Sequence, residues 1–187
     1  MRNGMIQSCF LLILLFSVSE QCGCPAQYTQ QVICDSKLVV VAKIESSSSD
    51  RFNTNYKISV TKFYFGKMEY DKLSDKKTLE TPKSSAACGP VVLTVGSSYI
   101  LSVSLYDGKM SHNLCGLQVE AKKASQVLLQ GLAGKYKDNC GCEMPYAFDP
   151  PPTGPQTRNQ CRNTPPGCSY HSLCSRDGYG RCKWQGC

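Results

Sequence analysis

Short runs of β-branched and aromatic residues punctuate the first two thirds of the chain. Lys37 to Ile44 carries Val39, Val40 and Val41, and Lys57 to Phe65 carries Ile58, Val60, Phe63 and Phe65. Val91 to Val95, Tyr99 to Leu105 and Met110 to Val119 repeat the pattern. Runs of this kind, bounded by turn residues, predict strands. Tyr106-Asp107-Gly108-Lys109, between the last two, is a hairpin signal. The expectation is a small antiparallel sheet or barrel.

From Ala121 to Tyr136 the spacing changes. Ala124, Val127, Leu128, Leu132 and Tyr136 recur three and four apart, the stripe of a helix that lays one face on the barrel. A shorter helical turn is predicted over Thr29 to Ser36. Ser46 to Asn55, with four consecutive serines, reads as an exposed connector.

Ahead of all this lies a basic start at Arg2, an apolar run from Cys9 to Phe16 and a polar stretch from Ser17 to Gln21. The run is too short to span a bilayer and reads as a signal peptide. A secreted protein with no membrane partner is expected. Cleavage after Ser19 suits the small-residue preference of signal peptidase, whereas cleavage after Gln21 makes Cys22 the first residue.

Thirteen cysteines, less Cys9 in the leader, leave an even number in an oxidising compartment. That favours disulfides over thiolate metal sites. After Cys140-Gly141-Cys142 the composition turns to proline, and six cysteines fall between Cys142 and Cys187. With few apolar residues to bury, residues 141–187 read as a second, cysteine-stapled module.

The formal net charge is +7. Lys62, Lys67, Lys72, Lys76, Lys77 and Lys83 crowd one region, where charge would attract sulfated matrix glycans. Glu69, Asp71, Asp75 and Glu80 interleave with them, the pattern of an ordinary solvated face. The secretory context disfavours nucleic acid. Only His112 and His171 are histidines, and the chain has no His-Glu-x-x-His, Gly-x-Ser-x-Gly or phosphate loop. Catalysis is therefore not expected, and both histidines and the pair Asp71 and Asp75 read as surface groups.

Cys22-Gly23-Cys24, the spacing on to Cys34 and the run Cys34-Asp35-Ser36-Lys37-Leu38-Val39-Val40-Val41-Ala42-Lys43 resemble the opening of the tissue inhibitors of metalloproteinases. Tyr56-Lys57-Ile58, Lys62 to Gly66, Cys88-Gly89, Asp107-Gly108, Cys115 and Gly134 to Cys140 extend the likeness in order. It is patchier in the tail, where Leu173-Cys174 and Gly180-Arg181-Cys182-Lys183-Trp184-Gln185 carry it and Cys187 is an addition.

The resemblance implies a mainly β fold with flanking helices: a five-stranded netrin-like OB-fold barrel over 22–140, behind a signal peptide at 1–21, and a small disulfide-rich module over 141–187. It implies disulfides Cys22–Cys88, Cys24–Cys115, Cys34–Cys140 and Cys142–Cys182, leaving Cys161, Cys168, Cys174 and Cys187 with three pairings open. It also implies a monomeric, non-enzymatic inhibitor of secreted or cell-surface zinc metalloproteinases, with no cofactor of its own. The α-amine and carbonyl of Cys22 would chelate the target's zinc. Cys22, Gly23, Cys24, Pro25, Ser85, Ala86, Ala87 and Cys88 would contact the protease. Gly23 departs from the family's usual Thr or Ser, so the main specificity pocket would stay unfilled. Two other readings stand beside this one: a non-inhibitory netrin-like matrix or growth-factor adaptor, and a serine-protease inhibitor acting through the tail.

Overall fold

The structure is a computed structural model that describes residues 22–25, 27–146, 154–162 and 164–185. The signal-peptide assignment at 1–21 and any partner of Cys187 lie outside the described residues. Helix α1 (Thr29–Asp35) leads into strands β1 (Leu38–Ser49) and β2 (Asn53–Phe65), a short helix α2 (Lys67–Asp71), then β3 (Thr78–Pro82), β4 (Ser98–Tyr106), β5 (Lys109–Ser111) and β6 (Gln118–Glu120).

The sheet runs in the order β1-β2-β3-β5-β4-β6, and β4 also pairs with β1. Five strands thereby close into a barrel of the OB type, with β6 added on the outer edge of β4. Leu79 lies opposite Met110 in the parallel β3–β5 pair that completes the ring. Closure removes free sheet edges, which otherwise invite aggregation.

The consecutive valines of β1 follow from burial on both faces. Leu38, Val40, Ala42 and Ile44 point into the barrel with Ile58, Leu79, Leu101, Val103 and Met110. Val39 faces outward, where Ile100 joins Ile33, Leu128, Leu132 and Tyr136 in a second apolar layer. Leu128, Leu132 and Tyr136 of the predicted helical stripe supply that layer, with Ala124 against them, whereas Val127 is exposed, and the stripe is not one helix. A 3-10 turn (Ala121–Lys123) precedes α3 (Gln126–Gln130), whose N-terminus is capped by the Ser125 hydroxyl, and a widened turn leads to α4 (Tyr136–Asp138). Gly134, at φ 122°, interrupts the regular backbone.

Two other sequence expectations are corrected. Ser46 to Asn55 is no connector: β1 and β2 continue through it, pairing Ser46 with Lys57 and Ser49 with Thr54. The turn between them is closed by Asp50, whose carboxylate accepts the N–H groups of Phe52 at 2.8 Å and Asn53 at 2.7 Å. Both faces of this hairpin end are in water, so no alternation marked it as strand. Val91 to Val95 is not a strand. The Tyr56 hydroxyl donates to the Val91 carbonyl at 3.0 Å and accepts the Leu93 N–H at 3.2 Å, while the Tyr99 hydroxyl accepts the Thr94 N–H at 3.1 Å. Tyrosine hydroxyls here take the place of a neighbouring strand.

The predicted Met110–Val119 strand is likewise split into β5 and β6 by the loop carrying His112 and Cys115. His112 is not a surface group. It is 3% exposed, and its Nδ1 donates to the Ser102 carbonyl at 2.8 Å. The turn at Tyr106 to Lys109 forms as the sequence predicts, with Asp107 at φ 49° and Gly108 at φ 71°, both in the left-handed region that such turns require.

In the tail, β7 (Leu173–Arg176) and β8 (Cys182–Gln185) form an antiparallel hairpin. Cys142, Cys161, Cys174 and Cys182 make its core, with Met144 and Trp184 against them. The hairpin docks on α1: Tyr28 packs on Trp184 with ring centroids 4.6 Å apart, and the Thr29 hydroxyl meets His171 Nδ1 at 2.7 Å. No described helix is long and apolar enough to cross a membrane.

Candidate functional site

Two separate stretches of chain meet at one end of the barrel. The first is Cys22 to Pro25. The second is the turn Ser85–Ala87, a 3-10 segment whose preceding residue, Ser84, accepts the Ala86 N–H on its hydroxyl at 3.2 Å. Cys88 ends that turn in the left-handed conformation, φ 59°. Its carbonyl accepts the Leu114 N–H at 2.9 Å, which places the turn beside the loop bearing Cys115. Gly89 then lies so close to the Pro82 carbonyl that a Cβ would collide with it, which anchors the turn to the end of β3.

Disulfides join the stretches. Cys22 is linked to Cys88 with Cα atoms 5.0 Å apart, and Cys24 to Cys115 at 5.2 Å, both within the usual range. The Cys22 backbone nitrogen also donates to the Ser85 carbonyl at 3.1 Å. Gly23, Cys24, Pro25 and Ser85 to Ala87 are exposed, and Cys22 and Cys88 are half-buried. All eight sequence-selected contact residues therefore belong to one surface. A Cβ built on Gly23 meets nothing within 4 Å.

Farther off, Cys34 is linked to Cys140 and Cys142 to Cys182. Among the three pairings left open, the structure takes Cys161 with Cys174; Cys168 is also disulfide-bonded. Within the lysine cluster, Lys67 pairs with Asp71 at 2.7 Å, and Asp75 accepts the backbone N–H groups of Lys77 and Thr78.

Sequence reasoning did not reach the supports of the site. Phe52, exposed at the tip of the β1–β2 hairpin, accepts the Lys83 N–H on its carbonyl at 2.9 Å, and Lys83 Nζ donates to the Asp50 carbonyl at 3.0 Å. The hairpin tip thus stands next to the Ser84–Cys88 turn. The only local signal was Ser84, a residue type that favours such caps.

The comparison with known families decides the assignment, since the profile described as tissue inhibitor of metalloproteinase matches residues 20–184. The chain belongs to that family. It is 26% identical over 194 residues to Metalloproteinase inhibitor 3 of Xenopus laevis, covering 96% of this chain and 89% of that protein. To Metalloproteinase inhibitor 4 of Mus musculus it is 30% identical over 185 residues, covering 88% and 80%. Both relatives are named as metalloproteinase inhibitors. At this end of the barrel two disulfides, Cys22–Cys88 and Cys24–Cys115, hold the exposed residues Gly23 to Pro25 beside the exposed turn Ser85–Ala87.

Proposed function

We propose that this protein is a secreted inhibitor that binds zinc metalloproteinases through Cys22 to Pro25 and Ser85 to Cys88, the α-amine and carbonyl oxygen of Cys22 chelating the target's catalytic zinc. On this reading residues 22–140 are the inhibitory unit, 141–187 a cysteine-stapled module, and no cofactor of its own is needed. The observation that carries the reading is the position of Cys22: its nitrogen faces the Ser85 carbonyl at 3.1 Å while its side chain is tied to Cys88.

A catalytic zinc keeps one coordination position open for water. The free amine that cleavage after Gln21 would create has a pKa near 7.7 to 8.0, and metal coordination draws off its proton. A neutral amine keeps two N–H groups and one lone pair. The Ser85 carbonyl can hold one N–H, which restricts the lone pair to the two remaining directions. Because the cross-links order this backbone before the encounter, little entropy is lost on binding. The disulfides also keep the segment from adapting as a flexible substrate would.

The test is inhibition of a purified matrix metalloproteinase by the secreted full chain after its N-terminus has been sequenced. Inhibition by protein beginning at Cys22 is expected. Full protease activity in the presence of that material overturns the reading and leaves the matrix-adaptor alternative ahead.

A further inference from the structure

We propose that the Cys22–Cys88 and Cys24–Cys115 disulfides form a thiol-exchange site, at which a small-molecule or protein thiol rearranges the pairs to Cys22–Cys24 and Cys88–Cys115 and releases the N-terminal segment from the barrel. The four sulfurs lie within 4.8 Å of one another. Between the two bridges, Cys88 Sγ is 3.5 Å from Cys115 Sγ, and Cys22 Sγ is 3.8 Å from Cys115 Sγ and 4.0 Å from Cys24 Sγ. A sulfur freed from one bridge is already in contact with the other.

Exchange proceeds by attack of a thiolate on a disulfide sulfur through a mixed disulfide. An incoming thiolate bonds to Cys88 Sγ, the Cys22–Cys88 bond breaks, and Cys22 leaves as thiolate. Cys22 then attacks Cys24 Sγ, forming Cys22–Cys24 and expelling Cys115 as thiolate. Cys115 attacks Cys88 Sγ, forming Cys88–Cys115 and returning the incoming thiolate. No electrons are gained or lost overall, and the thiol is regenerated.

Access separates this cluster from the others. Cys24 is exposed and its three neighbours are half-buried, whereas the other group of close sulfurs, in the tail, is buried at 0–3% exposure. Cys34–Cys140 is reachable but belongs to neither close-sulfur group among the described residues, so an opened Cys34–Cys140 bridge has no second disulfide to pass the exchange to.

Gly23 favours the new ring. Two extended residues span up to about 7 Å, slightly beyond the usual Cα separation across a disulfide, so Cys22–Cys24 needs a curled backbone at the residue between. A residue without Cβ adopts it at least cost. The new bridges close separations of 2 and 27 residues in place of 66 and 91, and no cross-link then holds Cys22 to Pro25 on the barrel. Loss of inhibition as the consequence rests on the function proposed above; the exchange itself does not.

The experiment incubates the full chain, beginning at Cys22, with reduced glutathione in the absence of oxidant, quenches by alkylation and maps the disulfides by mass spectrometry. The expected result is loss of the Cys22–Cys88 and Cys24–Cys115 linkages with an equal gain of Cys22–Cys24 and Cys88–Cys115, while Cys34–Cys140, Cys142–Cys182 and Cys161–Cys174 stay intact. Gly23→Val, at a position with open space, should fold with native pairs and rearrange several-fold more slowly. Native pairing throughout, or glutathione adducts and free thiols without Cys88–Cys115, overturns the exchange. Rearranged protein that still inhibits fully supports the exchange and overturns instead the assignment of Cys22 to the target's zinc.

Discussion

Gln30 and Cys174 are joined by two hydrogen bonds across the docking surface between α1 and β7. The Gln30 amide nitrogen donates to the Cys174 carbonyl at 2.9 Å, and its oxygen accepts the Cys174 N–H at 2.9 Å. The same nitrogen donates to the Asn139 carbonyl at 3.0 Å. Gln30 is fully buried, and its side chain pairs with the backbone of β7 as another strand would.

Replacing Gln30 strands three backbone groups. An unpaired buried group costs about 1–3 kcal/mol, so Gln30→Ala should lose about 3 kcal/mol in urea unfolding. Gln30→Glu should lose at least as much, because a carboxylate cannot donate to the two carbonyls. A change below about 0.5 kcal/mol, the size of an ordinary surface substitution, would refute this account of the docking.

Tyr56→Phe tests the loop that stands where a strand was expected. The variant keeps the ring and removes the partner of both Val91 and Leu93. A loss of about 1–3 kcal/mol in thermal unfolding is expected. The Leu93 amide should also exchange with solvent faster, and unchanged protection there would sink the explanation.

Adding one alanine ahead of Cys22, or acetylating its amine, turns a donor of electrons into an amide. Inhibition should fall by more than the roughly 10–100-fold that accompanies loss of a metal ligand's outer partner, with the unfolding temperature unchanged. Retained inhibition would show that the amine is not the ligand.

Gly23→Thr restores the side chain usual in the resemblance. The open space around Gly23 means that the fold should accept it. A small group filling a specificity pocket is worth roughly 10–200-fold, so inhibition constants against a panel of matrix metalloproteinases should tighten by about that range for at least one enzyme. No gain against any of them removes the idea.

Burial pushes the His112 imidazole below its usual pKa of 6.5, opposed in part by the Ser102 carbonyl. The folded chain therefore binds fewer protons than the unfolded chain as pH falls below about 6.5, and stability should decline from there toward lower pH. A titration of the His112 ring by nuclear magnetic resonance should give a midpoint below 6.5. A midpoint at or above it contradicts the burial argument.

The barrel was legible where inside and outside differ chemically. Leu38 to Ile44, Lys57 to Phe65 and Tyr99 to Leu105 alternate or run apolar because β1, β2 and β4 are packed, and Asp107-Gly108 announced its turn because few residues accept positive φ. Ser46 to Ser49 and Asn53 to Asn55 were not legible, since none of these residues is buried and no apolar alternation marks them. Nor was β3, whose five residues hold one buried aliphatic side chain, Leu79.

By itself the sequence determined the local matters: which segments prefer strand or helix, the even set of cysteines from Cys22 onward, and through its ordered motifs the family. Only the tertiary structure decided that Ser85 lies against Cys22, that Cys161 takes Cys174, that Gln30 completes β7 and that two disulfides share one cluster of sulfurs. The physical reason is distance along the chain. Cys22 meets Cys88 across 66 residues and Cys24 meets Cys115 across 91, and such meetings are set by barrel closure and core packing rather than by any property of the neighbouring residues.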